Sequence, residues 1–288
     1  MDQVDVVLLT KNSAHKLSNC LTSIYKNVPI KNLIVIDGFS TDGTLKILDC
    51  FNKMHGNIAL FQVDGSRAKA RTEGIRHVTT EWFLFVDSDV VLCKDWYEKA
   101  QADLTNGVAA VWGLNVDVIP NVTDKRVLLL QGILARECFK LRGGTHDTLI
   151  LTKSVAGIMI PEHLHTYEDA HIIRHIKNQG YKVCVASEAY CLHYKPPTCW
   201  NVKTGFSQAI VEFKCGLVYS HLYGYMLFYP AFLLNWIFQV PLNWFRNNSR
   251  PKPKINQNTM GLAIVFQPTS GKIAPFSEEK SAKTKIES

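Results

Sequence analysis

Two carboxylates two residues apart, in Asp87-Ser88-Asp89, directly follow the apolar run at 82–86. At the end of a buried strand such a pair can hold a hard divalent cation, Mg2+ or Mn2+, through oxygen, with the cation bridging a diphosphate. The plain alternative is a solvated turn in which Asp89 caps the next element. A second group, Asp37-Gly38-Phe39-Ser40-Thr41-Asp42-Gly43, also follows an apolar run. A carboxylate there can accept the imide N–H of uracil or the N–H groups of guanine, while Ser40, Thr41 and Asp42 suit a turn and helix cap. The expectation is divided: Asp37 for the base, Asp42 for the turn. A third group places Arg67, Lys69 and Arg71 between Gly65 and Gly74. At a helix N-terminus these would hold phosphate or ribose, and otherwise they form an ordinary basic face.

The elements that must position these groups are legible as an alternation. Residues 4–9 are nearly all apolar, as in a strand buried on both faces of a parallel sheet. Ser13 is a candidate N-cap for a helix carrying Leu17, Cys20, Leu21 and Ile24 and ending before Pro29. The pattern predicts further strands at 33–36, 58–63 and 82–86. Helices are expected around Leu45, Ile47, Leu48 and Phe51, and at 68–77. Alternation of this kind gives right-handed βαβ units, a mostly parallel sheet flanked by helices, and ligands beyond the carboxyl ends of the strands.

The alternation loosens after a strand at 108–113. A helix is expected at 124–141, then a break at Gly143-Gly144, a helix at 168–178 ended by Gly180, and a strand at 182–186. The chain therefore divides into a catalytic domain, 1–205, with a donor half (1–113) and an acceptor half (114–205). An apolar segment (206–245) and a basic tail (246–288) follow.

Residues 217–245 contain no Asp, Glu, Lys or Arg across 29 positions, and the stretch from Arg246 onward carries eight Lys or Arg against three Glu. That length can cross a bilayer. Pro230 and Pro241, together with the Tyr and Trp residues spread along the segment, instead favour a re-entrant or interfacial element at a membrane surface.

Hydrophobic residues at 47% and charged residues at 20% exclude a disordered or fibrous chain. A formal charge of +7 favours polyanions. Because the basic excess lies beside the apolar run, acidic lipid is expected rather than nucleic acid. The eight cysteines show no CxxC pair and no zinc-like spacing, as expected of reduced thiols. No basic and apolar leader opens the sequence, so the catalytic part is expected on the cytoplasmic side of a membrane.

Taken in order, Val6-Val7-Leu8-Leu9-Thr10-Lys11-Asn12, the Asp37 to Thr44 segment, Ala70-Arg71 with Gly74, and Phe85-Val86-Asp87-Ser88-Asp89 resemble the family 2 glycosyltransferases of GT-A fold. The likeness extends over roughly the first 200 residues. It implies a GT-A, Rossmann-like catalytic domain. Thr10, Asn12, Asp37 and Arg71 would line the nucleoside pocket, with Arg67 and Ser88 beside the nucleotide-sugar. Asp89, with Asp87, would meet the metal and the sugar diphosphate. Gly38 stands where the family more often has a second acid, and Thr72 where it more often has Asn.

Tyr167-Glu168-Asp169, with Ile172, Arg174, Gly180 and Tyr181 after it, looks like the family's Glu-Asp motif, whose second acid is the general base. The resemblance thus implies Asp169 as catalytic base in an inverting transfer. Acids at a helix N-terminus are also favoured by the macrodipole without any catalytic role. Some relatives place a histidine after the following strand, which makes His193 a candidate metal or diphosphate ligand; a structural histidine is the alternative.

The expected function is transfer of a sugar from a UDP- or GDP-sugar to a membrane acceptor, a polyprenyl phosphate or lipid-linked glycan. Transfer to a soluble or surface polysaccharide precursor is the alternative within that class. A nucleotidyltransferase would carry a Gly-rich signature after strand one, where Thr10-Lys11-Asn12-Ser13-Ala14 has no glycine. A non-catalytic scaffold that only binds nucleotide-sugar is the third reading.

Overall fold

The computed structural model describes residues 3–118, 144–164 and 167–194, and the backbone of two short strands, Ile264–Phe266 and Ile273–Pro275, which pair antiparallel. The predicted helix at 124–141 and the apolar segment at 206–245 lie outside the described residues, as does the basic tail apart from those two strands. Among the described residues no helix is long and apolar enough to cross a membrane.

The elements run β1 (Val4–Thr10), α1 (Ala14–Asn27), β2 (Ile30–Asp37), α2 (Thr44–His55), β3 (Ile58–Gln62), α3 (Arg67–Arg76) and β4 (Trp82–Asp87). They continue with β5 (Val90–Leu92), α4 (Trp96–Ala102), β6 (Val108–Asp117), β7 (Asp147–Leu151), a 3-10 turn (Thr152–Val155), α5 (Glu168–Asn178) and β8 (Lys182–His193). One eight-stranded sheet has the order β3-β2-β1-β4-β7-β6-β8-β5. The first four strands in that order are mutually parallel. β7 is antiparallel to both neighbours, and β5 is antiparallel to β8.

Strand alternation sends β1 side chains to two different cores. Val6 and Leu8 pack with Leu17, Leu21 and Ile24 of α1. Val7 packs on the other face with Ile36, Phe83 and Phe85 and with Ile172, Ile173 and Ile176 of α5. Each fully buried side chain of this size contributes roughly 1.5–3 kcal/mol. α3 reaches β1 through Gly74, where a Cβ would come within 2.3 Å of Val7 Cγ1. At the other end of β1, the buried Asp5 carboxylate accepts from Thr79 N at 2.6 Å, Thr80 N at 3.2 Å and Asn32 Nδ2 at 2.9 Å, tying the loop after α3 to the sheet.

The early strands and helices stand within a few residues of their expected places, and α5 coincides with the predicted 168–178. β6 and β8 run longer than expected, and β5, α4 and β7 were not expected. Three, seven and five residues respectively are too few for periodicity to declare itself.

Candidate active site on the carboxyl rim of the sheet

Register brings the acids together. Thr10 pairs with Asp37 and Leu9 with Asp87, so the ends of β2, β1 and β4 form one rim. Asp37 is fully buried there. Its Oδ1 accepts from Thr10 Oγ1 at 2.8 Å and Ser40 Oγ at 2.5 Å, and its Oδ2 from Ser40 N at 2.8 Å and Gln62 Nε2 at 3.3 Å. Burial pushes its pKa up, but the hydrogen bonds from Ser40, Thr10 and Gln62 outweigh this and hold it below the usual range. The sequence reading gave Asp37 to the base. In the structure it accepts from four donors that shape the loop, and the groups around it, Lys11, Asn12, Phe39 and Thr41, face solvent. Phe39 is 53% exposed with φ +56°, an uncommon conformation for a bulky residue.

Asp42 takes the turn role expected of it, accepting from Thr44 N at 2.9 Å, and also caps α1 across the rim by accepting from Ala14 N at 3.1 Å. Ser13 occupies the N-cap position of α1 without capping through its side chain. Its Oγ instead pairs with Ser88 Oγ at 2.8 Å, fastening the Asp87-Ser88-Asp89 turn to α1. Asn12 Oδ1 accepts from Thr41 N at 2.9 Å, so Asn12 braces the second loop.

α3 begins with Ser66 Oγ accepting from Lys69 N at 3.2 Å. Arg67 is exposed, whereas Arg71, one turn on, is 2% exposed. Its Nη2 donates to Asp87 Oδ1 at 2.9 Å, its Nε to Glu168 Oε1 at 3.4 Å, and its guanidinium carbon lies 4.9 Å over the Phe85 ring. Burial acts to lower its pKa, but the Asp87, Glu168 and Asp169 carboxylates raise it. Arg71 Nη1 is buried with no hydrogen-bond partner among the described residues. The resemblance implied Arg71 beside the nucleoside; among the described residues its Nη2 and Nε are held by two acids.

Glu168 and Asp169 open α5, after Tyr167 at φ +69°. Burial raises the Glu168 pKa, Arg71 opposes the rise and Asp169 adds to it. Asp169 is half-buried, its Oδ1 accepting from Ala170 N at 2.7 Å.

Asp89 faces the other way from Asp87. Its Oδ1 is 3.1 Å from His193 Nε2, and its Oδ2 is 3.9 Å from Lys16 Nζ. Lys16 Nζ also donates to the Tyr194 carbonyl, and Tyr194 N donates to the Asp89 carbonyl at 2.9 Å. Burial raises the Asp89 pKa, but His193 and Lys16 lower it below the usual value. The structure brings Asp89 together with His193, while Asp87 is engaged by Arg71.

Below this pair lies a buried cluster that the sequence did not reveal. Ligand-type atoms of His146, Asp147 and Cys191 gather within 4.8 Å of one another. Asp147 Oδ1 is 3.0 Å from His146 Nε2, and its Oδ2 accepts from Trp96 Nε1 at 2.9 Å. A Cβ on Gly113 would sit 2.0 Å from Asp147 Oδ2, so only glycine fits there. The signal available in the sequence was Thr145-His146-Asp147 immediately ahead of an apolar run.

The profile of the family described as "Glycosyl transferase family 2" matches residues 5–161. Among curated relatives, the poly(ribitol-phosphate) beta-glucosyltransferase of Bacillus spizizenii is 29% identical over 118 residues, covering 36% of this chain and 19% of that protein. Glycosyltransferase GlyA of Streptococcus pneumoniae is 31% identical over 103 residues, 34% of this chain and 14% of that protein. The matches thus span a fifth or less of these relatives' lengths. Solved structures share the fold, two of them as follows. The mannosyltransferase PcManGT of Pyrobaculum calidifontis, in complex with GDP-Man and Mn2+, has a TM-score of 0.55 at 21% identity, over 69% of this chain and 58% of that one. TarS 1-349 of S. aureus, in complex with UDP-GlcNAc, has a TM-score of 0.54 at 20% identity, over 68% of this chain and 59% of that one.

Proposed function

This chain belongs to glycosyl transferase family 2, and we propose that it transfers a sugar from a UDP- or GDP-sugar with inversion at the anomeric carbon. The observation that carries this reading is Arg71, which holds Asp87 of the rim and Glu168, neighbour of Asp169, on one guanidinium. The donor class is supported by fold neighbours solved with GDP-Man and UDP-GlcNAc.

A divalent cation fits the residues at the rim. Asp89 and His193 present a carboxylate oxygen and an imidazole nitrogen 3.1 Å apart, a mixed donor set that suits Mn2+ better than the all-oxygen preference of Mg2+. When bound, the cation would neutralise charge on the departing diphosphate. The protein's own groups do the rest. Asp89 and His193 would hold the cation, Asp87 is aimed by Arg71, and Ser88 and Ser13 fix the turn. Asp169 takes the proton of an acceptor hydroxyl, or orients an acceptor that is already an anionic phosphate. Glu168 and Arg71 set where Asp169 stands.

For the acceptor we favour a molecule presented at the cytoplasmic face of a membrane, a polyprenyl phosphate or lipid-linked glycan. Support comes from the uncharged stretch at 217–245 and the basic excess after it. The name of the Bacillus spizizenii relative favours a second acceptor, a polyol-phosphate or other wall polymer.

The test is a donor screen on the full chain with Mn2+ or Mg2+, reading nucleoside diphosphate release with and without membrane extract. Release that needs both a nucleotide-sugar and the cation supports the reading, and stimulation by extract supports a lipid acceptor. No release from any UDP- or GDP-sugar under any of these conditions would sink it.

A further inference from the structure

We propose that Asn115 is a positioning residue that fixes the tautomer of His193, holding the ring so that Nε2 presents its lone pair to a divalent cation beside Asp89. The inference rests on the proposed role of His193 as a metal ligand.

Register and alternation create the contact. In the parallel β6–β8 ladder Asn115 pairs with Cys191, and His193 is two residues further along β8, so all three share a face of the sheet. Asn115 is 4% exposed and Cys191 is fully buried. A buried amide must find partners, and the Asn115 Oδ1 faces two: His193 Nδ1 at 3.0 Å and Cys191 Sγ at 4.0 Å. The oxygen has two lone pairs, and both neighbours can donate to it. With the Nδ1 proton committed to Asn115, the other ring nitrogen points at Asp89 Oδ1, 3.1 Å away. With Nδ1 turned to Asn115, Nε2 is the ring nitrogen left to offer a lone pair to a cation beside Asp89.

The choice of a neutral acceptor follows from the surroundings. Asp87 and Asp89 already bring two carboxylates to the turn, Arg71 answering the first and Lys16 approaching the second. A carboxylate in place of Asn115 would bind the same Nδ1 proton more strongly and raise the basicity of Nε2. Partners of this kind behind a ligating histidine change metal affinity by roughly 10–100-fold when removed.

The experiment titrates Mn2+ alone into the full chain, reading free Mn2+ by electron paramagnetic resonance. Nitrogen NMR of histidine-labelled protein with Mg2+ reports which ring nitrogen of His193 carries the proton. His193→Ala is expected to weaken Mn2+ binding strongly. Asn115→Leu is expected to weaken it about tenfold or more and to lose the Nδ1–H signature, while Asn115→Asp keeps both within about threefold of the parent. If Asn115→Leu does not fold, judged by circular dichroism, Asn115→Ser replaces it with the same expectation. Wild-type affinity in Asn115→Leu, or in Asn115→Ser where that replaces it, alongside a weak His193→Ala, overturns the inference and leaves the ligand role of His193 standing. Asn115→Asp as weak as Asn115→Leu also overturns it. Wild-type affinity in His193→Ala removes the ligand role and the inference together.

Discussion

Arg71 Nε lies 3.4 Å from Glu168 Oε1 although 97 positions separate the two residues. Both are buried, and the same guanidinium reaches Asp87. Asp87 and Glu168 are therefore held relative to each other through one side chain.

Removing that side chain leaves two carboxylates in a poorly solvated place. Arg71→Met is expected to destabilise the fold by about 3–5 kcal/mol in urea unfolding. Arg71→Lys should recover little of this, because one ammonium cannot serve two acids as the planar fork does. A loss under about 1 kcal/mol in the methionine variant would show that the bridge does not matter to folding.

Separating donor handling from transfer requires two variants. Asp89→Ala is expected to abolish cation-dependent turnover of the nucleotide-sugar. Asp169→Asn should bind donor as tightly as the parent, measured calorimetrically, while transfer falls about 10²–10⁴-fold. Equal loss of donor binding in Asp169→Asn would move that residue out of the base role.

Gly74 offers a test of packing free of the site chemistry. Alanine at a helix interior normally gains about 1 kcal/mol over glycine. Here its Cβ would lie 2.3 Å from Val7 Cγ1, so Gly74→Ala should instead cost about 1–3 kcal/mol in unfolding free energy. A raised urea midpoint would contradict the close approach of α3 to β1.

Acid sensitivity should trace partly to Asp5. Burial raises its pKa, but hydrogen bonds from Thr79, Asn32 and Thr80 outweigh this and leave it lowered. The folded value then lies below the unfolded one of about 3.9, so the stabilisation is present above that pH and is lost as pH falls through the folded value. Asp5→Asn should be less stable than the parent at pH 7 but lose less between about pH 5 and pH 3. Parallel stability curves for the two proteins would remove Asp5 from the account.

The donor half was legible because its strands are apolar runs ending in acids, a pattern that states both the element and the rim it points to. Asp37, Asp87 and Asp89 were found that way, and Thr10 through the resemblance. What those acids touch was not legible. Asp37 proved to be saturated by Ser40, Thr10 and Gln62, and Arg71 to face Glu168, because hydrogen-bond partners depend on loops and on contacts distant in sequence. Asn115, His146, Asp147 and Lys16 carried no motif. Asn115, His146 and Asp147 come together through the pairing of β6, β7 and β8, whose short length or irregular register hides them from periodicity, while Lys16 reaches the rim from α1.

β7 is hydrogen-bonded on both edges, to β4 and to β6, and is antiparallel to both. The eight strands thus form a single slab, and pulling β7 out of it would mean tearing two ladders at once. Thr10, Asp37 and Asp87, at the ends of β1, β2 and β4, therefore ride on one continuous floor.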